Sequence, residues 1–217
     1  MTMVALAPMD LAALLCSRVC HDVISPVGAI VNGLEVLEDE KDPEMRQFAI
    51  DLIKKSAASA SARLQFCRLA FGAAGSLGAS IDTGDAEAVT RGLIGGDKVT
   101  LAWNPPRQFA PKNKVKLLLN LCLIAATTIP RGGVIFVDLS GQDDSLGMKV
   151  QARGANPKLA SGVADLVAGR PESGAVDAHS IQPYFTGMVA RECGLEVAIT
   201  VEAESVTLEA RPTGVKA

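Results

Sequence analysis

The sequence predicts an α+β protein, with an N-terminal two-helix hairpin over residues 1–71, a linker over 72–80 and an α/β sandwich over 81–217. Three observations carry this reading. Apolar residues recur at helical spacing through two long stretches near the N-terminus. The tract "GAAGSLGAS" at 72–80 is small and glycine-rich, and ends that region as a linker. Beyond it helical and strand-like stretches alternate, and tight turns between strands point to a mixed, partly antiparallel sheet.

Residues 9–39 form one long helical pattern, with Asp10 as the expected N-cap. "EDEKDPE" breaks it. Asp42 before Pro43 starts a second helix, because proline suits the first helical turn. Met45, Phe48, Leu52, Ile53, Ala60, Leu64 and Cys67 give this helix, residues 43–71, its apolar face. After the linker, "DAEAVTRGLI" reads as a helix and "KVTLAWN" as a strand ended by Pro105 and Pro106. "NKVKLLLNLCLIAATTI" is a mostly apolar helix closed by Pro130. "GGVIFVDLS" and "GMKVQARG" are strands, with "GQDDS" as their hairpin turn. "YFTGMVARECG" is a helix capped by Gly194, and "LEVAITVEAESVTLEARP" is a final pair of strands.

Hydrophobic residues make up 48% and charged residues 21% of the 217, so the chain buries a core and is not disordered. A net charge of −3 offers no basic patch of the kind nucleic acid requires. No apolar run is expected to reach the roughly 18 residues of a membrane span. The first residues lack the basic region of a signal peptide. The expectation is a soluble, cytoplasmic protein that binds neither nucleic acid nor membrane. The five cysteines are scattered. Cys16, Cys20 and His21 lie close, but no second ligand cluster completes a tetrahedron, so no metal is expected. All five are expected to be buried structural thiols.

The chain has two histidines, His21 and His179. Place successive residues about 100° apart around the first helix, with Val19 at zero. Val23, Val27, Ile30, Leu34 and Leu37 then fall between about 0° and 80°, and Leu15 at about −40°. That is one continuous core stripe. His21 falls at about 200°, on a face shared with Ser25, Gly28 and Asn32 and flanked by Ser17 and Arg18. His21 is therefore predicted to be exposed. An ordinary surface histidine is the plain alternative. Three features favour more. Ser25 and Gly28 leave room for another protein surface. The Asp22 carboxylate is placed to fix an imidazole tautomer. Pro26 removes the backbone bond to the Asp22 carbonyl and is expected to bend the helix there. An interior proline costs about 3 kcal/mol, so its place one turn beyond His21 asks for a reason. His179, in the loop "GAVDAHSIQP", is expected to be structural or incidental.

"HDVISPVGAI" resembles the H-box of two-component histidine kinases. His21, Asp22, Val23, Ser25, Pro26, Val27 and Ile30 match it, while Ile24 stands where that family usually has a basic residue. In that family the histidine lies on the first helix of a hairpin that dimerises into a four-helix bundle. The C-terminal part resembles the Bergerat-type ATP-binding domain of the same kinases, stripped of its working residues. Asn120 matches the first asparagine of the N-box, but the second, the family's Mg²⁺ ligand, falls on Ile124. "VQARGANPKL" resembles the segment carrying Asp-x-Gly-x-Gly. Gly154 remains, while the adenine-reading aspartate falls on Ala152 and the second glycine on Asn156. "SIQPYFTGMVARECG" stands in place of the last glycine-rich box without its phosphate-loop glycines. An isoleucine cannot ligate Mg²⁺, and an alanine cannot accept from an adenine amino group. A kinase-like hairpin followed by a degenerate ATP domain resembles the ChpT-type histidine phosphotransferases over nearly the whole chain.

The resemblance implies a phosphorelay shuttle in cell cycle regulation. His21 would be phosphorylated by the aspartyl-phosphate of a hybrid kinase receiver domain, of the CckA type. It would pass the group to response regulators of the CtrA and CpdR types. The family works as a homodimer. No ATP, cofactor or resident metal is implied, because the partner receiver supplies its own Mg²⁺. Neutral imidazole, with an unperturbed pKa of about 6.5, is the nucleophile. Asp22 is expected to orient it, the alternative being a solvated helix acid. Arg18 either pairs with phosphoryl oxygens or is a surface cation. Ser25 and Gly28 set clearance for the receiver, on the face that includes Asn32. Burial argues for the dimer too, since one hairpin cannot cover its own stripes and two can. Two other functions stay open on sequence alone. One is an ATP-dependent autokinase with diverged motifs, against which Ile124 and Ala152 argue. The other is a non-catalytic dimeric adaptor in which His21 is incidental.

Overall fold

Two long helices open the chain. α1 (Pro8–Asp39) and α2 (Pro43–Ala70) are the arms of the hairpin. The computed structural model describes residues 3–72, 79–96 and 98–213. Residues 73–78, most of the expected linker, therefore lie outside the described residues. α1 starts at Pro8, with Ala7 as an N-cap that makes no side-chain bond. Asp10 is thus not the cap. Pro8 takes over the start, since its fixed φ suits the first helical position, and Asp10 sits in the first turn near the positive end of the helix. Asp42 does cap α2, its side chain accepting from the Glu44 N–H at 3.1 Å. The corner between the arms is closed by polar bonds. Glu40 accepts from the Lys41 and Asp42 N–H groups, and Arg46 donates to the carbonyls of Leu37 and Glu40.

The apolar stripe of α1 does not behave as one surface. α1 runs through Pro26 unbroken, and Pro26 and Gly33 are its buried residues. Gly33 lies against α2, where a Cβ would come 2.7 Å from Ile53 Cγ1. Leu15, Val19, Ile30 and Leu37 are half-buried, but Val27 and Leu34 stay exposed. The stripe is wider than one helix contact covers, so α2 takes one edge and leaves the other. By length and composition alone α1 also meets the measure of a span, which does not overturn the membrane expectation. Its 32 residues include an 18-residue window of mean hydropathy 1.4, enough by length and composition for a span. Arg18, His21 and Asp22 are too few to lower the average of a helix rich in Ala, Val, Ile and Leu. In the fold this helix is one arm of the hairpin.

The rest of the chain is a sheet with helices on one face. The strands are β2 (Val99–Trp103), β4 (Gly133–Ser140), β5 (Gly147–Gly154), β6 (Leu195–Val201) and β7 (Ser205–Pro212). Their order is β2-β4-β5-β7-β6, with β2 parallel to β4 and all other pairs antiparallel. α4 (Lys112–Thr128) lays Leu117, Leu118, Leu121 and Cys122 on Ile135, Val137, Val150 and Leu208 of the sheet. α6 (Ile181–Glu192) adds Val189 and Ala190 to the same core. The expected α+β class and the mixed sheet are therefore what the chain adopts. Three short elements have no clear periodicity and were not expected: β1 (Ser80–Asp82), its partner β3 (Phe109–Pro111), and α5 (Val163–Val167). α5 meets α6 so closely that a Cβ at Gly187 would overlap the Val167 carbonyl.

A second, smaller core joins the hairpin to the sandwich. Phe66, Leu69 and Ala70 from the end of α2 pack with Ala86 of α3 (Thr83–Ile94) and with Val115 and Leu119 of α4. At the other end, Leu11 and Leu15 of α1 pack on the main core. The N-terminal segment is tied there as well, with Tyr184 Oη donating to the Val4 carbonyl at 2.8 Å and the Val4 N–H donating to Gly169 at 2.9 Å. α1 is thereby held against the start of α6.

Candidate functional site

His21 is exposed as the helical angle requires, with 67% of its side chain accessible. Ser25 and Asn32 are exposed beside it. Gly28 is half-buried, yet a Cβ built there meets nothing within 4 Å, so this face has open space in front of it. The fold thus brings His21, Ser25, Gly28 and Asn32 together on one side of α1. Pro26, on the buried side, belongs to the packing of the same helix.

Asp22 lies at the edge of the ring, its Oδ1 3.5 Å from His21 Nδ1. That distance is at the outer limit of a hydrogen bond, so the contact orients the ring only weakly in the resting state. The firmer bond of Asp22 is to Arg18, whose Nε donates to Oδ2 at 2.9 Å across one helical turn. Arg18 is partly buried and fixes Asp22, so Asp22 is not a freely solvated acid. The pair lines a cavity of about 330 Å³ shared with Arg63, Phe66, Cys67 and Leu123. Burial pushes the Cys67 thiol up to about 11, with the Asp22 charge adding to the effect, so this thiol is inert.

The cysteines divide, against the expectation that all five are buried. Cys67 and Cys122 are buried, Cys193 is intermediate, and Cys16 and Cys20 are exposed. The latter two sit on α1 near the open edge of the stripe, which α2 does not reach. Among the described residues no three His, Cys, Asp or Glu side chains gather in the manner of metal ligands.

Of the positions matched to the ATP-binding motifs, Asn120, Ile124 and Ala152 are taken up by packing, while Asn156 is exposed. Asn120 is fully buried and its Nδ2 donates to the carbonyls of Ala70 and Lys116, both at 2.9 Å. Its Oδ1 accepts from Gln182 Nε2 at 3.1 Å, and Gln182 is held in turn by Thr186 of α6. Asn120 therefore ties α2, α4 and α6 together. Ile124 and Ala152 lie in the main core. Gly154 is needed for close strand approach, since a Cβ there would stand 2.5 Å from the Gly132 carbonyl oxygen.

One neighbour of His21 was not legible in the sequence. His179, expected to be structural or incidental, lies with its ring centroid 5.8 Å from that of His21 and the ring planes at 81°. It comes from the turn before α6, far away in sequence. No local pattern marks it. Only the docking of α1 on α6 brings it there.

Residues 83–205 match the family described as histidine phosphotransferase C-terminal domain. The protein phosphotransferase ChpT of Brucella abortus (strain 2308) is 47% identical over 207 residues, covering 95% of this chain and 98% of that protein. A solved bacterial phosphotransferase superposes with a TM-score of 0.88 at 44% identity, over 97% of this chain and 100% of its own. With an exposed histidine on a helical hairpin and a packed sandwich behind it, the chain belongs to the histidine phosphotransferase family, and its activity is phosphoryl transfer.

Proposed function

We propose that His21 is the phosphorylated residue of a phosphorelay shuttle. It accepts the group from the aspartyl-phosphate of a hybrid kinase receiver of the CckA type. It then donates the group to response regulators of the CtrA and CpdR types in cell cycle regulation. The observation that carries this reading is the exposure of His21 on an open face, with Asp22 at Nδ1. Asp22 leaves Nε2 as the nucleophile. Its lone pair attacks phosphorus in line, and the bond from phosphorus to the aspartyl oxygen breaks. The donor carboxylate leaves with the electron pair. Nδ1 keeps its proton, so the phosphorylated ring carries positive charge beside Asp22, and the 3.5 Å contact becomes a charge-assisted one. Donation to the next receiver is the reverse. No protein metal is needed, because the receiver brings the Mg²⁺ that neutralises its own acidic site.

The working form on this reading is a homodimer in the cytoplasm, with residues 1–71 as the dimerisation and transfer domain and 81–217 as the kinase-like one. Ile24, Val27, Val31, Leu34 and Phe48 are left exposed by a single hairpin. A second copy covers them in a four-helix bundle and leaves each His21 on an outer flank. ATP plays no part, a view supported by the burial of Asn120, Ile124 and Ala152. The test is incubation with a phosphorylated hybrid-kinase receiver. Acid-labile, base-stable label on this chain is expected, and none with ATP alone. Label that persists in His21→Ala overturns the assignment.

A further inference from the structure

We propose that His179 is a positioning residue for phosphoryl transfer at His21, bracing the nucleophilic ring edge-to-face. The inference rests on His21 being the phosphoryl acceptor and adds a part for a residue outside the H-box. The two rings meet at 5.8 Å and 81°, the T-shaped arrangement that aromatic rings favour. An exposed imidazole on a helix otherwise rotates about its side-chain bonds, and Asp22 at 3.5 Å restrains it only weakly. A second ring across its face restrains the rotation that Asp22 does not.

His179 is itself firmly placed. Asp177 Oδ1 accepts from the His179 N–H at 3.0 Å, the Ser180 N–H at 2.8 Å and Ser180 Oγ at 2.7 Å. The Asp177 N–H donates back to Ser180 Oγ at 2.8 Å, and the Asp177 carbonyl accepts from Ile181 in the first turn of α6. These bonds from Ser180, with His179 beside them, hold the Asp177 carboxyl below its usual range, so the turn is closed at neutral pH. The turn is anchored to α6, α6 is packed against α1, and the His179 ring is carried to the His21 ring. Charged groups beside the pair include Asp22 with its partner Arg18 on α1, and Asp177 in the turn. The transfer step itself is unchanged: nitrogen–phosphorus bond formed, phosphorus–oxygen bond broken, no proton moved through His179.

The test uses the full chain in three versions, wild type, His179→Ala and His179→Phe. Uptake of label is followed from a phosphorylated hybrid-kinase receiver across receiver concentrations. His179→Ala is expected to lower the maximal rate roughly ten- to a hundredfold, as misaligned reacting groups do, with the half-saturating receiver concentration unchanged. His179→Phe, which keeps a ring, is expected to recover most of the rate. Imidazole resonances of His21 are expected to shift in His179→Ala in the absence of any receiver. A wild-type rate in His179→Ala overturns the proposal. So does a raised half-saturation with the maximal rate intact, which marks a docking contact instead. Unchanged His21 resonances overturn the ring contact directly. If those resonances shift but no version, wild type included, takes up label, the transfer reading fails and the positioning role goes with it, while the ring contact stands.

Discussion

His21→Ala is expected to abolish phosphoryl acceptance with an unchanged circular dichroism spectrum, because removing an exposed side chain opens no cavity. Asn120 is the opposite kind of residue. Its side chain satisfies the Ala70 carbonyl and the Gln182 amide inside the protein. Asn120→Ala takes this donor from the buried Ala70 carbonyl, at about 1–3 kcal/mol, while Gln182 Nε2 keeps the Asn120 backbone carbonyl and Thr186 Oγ1. A clear fall in the urea midpoint is expected, with phosphoryl acceptance per folded chain retained. At this scale the sequence was legible where one helix decides the outcome. The angle of His21, and its company of Ser25, Gly28 and Asn32, follow from helical periodicity alone. The Arg18–Asp22 bond was a matter of spacing that could have been seen, four residues apart with opposite charge. His179 was beyond reach, since its place depends on how α6 docks on α1.

The hairpin is best probed through the two sides of α1. Leu34→Glu sets a charge on the exposed apolar edge and is expected to give a monomer by light scattering. Gly28→Glu, on the open face beside His21, is expected to leave the dimer whole and to weaken receiver docking. A dimer that survives the first change but not the second would refute the bundle. The corner carries its own pH signature. Backbone donors at Asp42 and Lys41 hold the Glu40 carboxyl below its ordinary 4.5. A group depressed in this way contributes stability above its unfolded pKa and loses it as pH falls through the lowered folded value. The contribution is therefore full at neutral pH and fades below about pH 4.5. Urea melts between pH 3 and pH 7 should show a shallower acid decline for Glu40→Gln. The long elements were readable because periodicity is strong over 28 or 32 residues. β1, β3 and α5 are three to five residues long, too short for any period to register.

At the scale of the molecule, Ile124 and Ala152 belong to the main core of the sandwich. Calorimetric titration with Mg-ATP is expected to give no saturable heat at micromolar protein. Saturable binding with self-labelling would revive an autokinase. The hairpin and the sandwich share the core built on Phe66, Leu69 and Ala70, so the two parts should melt together. Cys16 and Cys20, the two exposed thiols, extend the account into kinetics. By the same rule of about 100° per residue they fall at about 60° and 100°, among Val27, Val31 and Leu34 and away from His21. In a two-fold bundle they are covered, and in a lone chain they are open to a maleimide. Their alkylation should therefore slow as protein concentration rises, and at saturating maleimide its rate should equal the rate at which partners separate. On the proposed dimer these thiols would time subunit exchange without a dye, a tag or a functional partner.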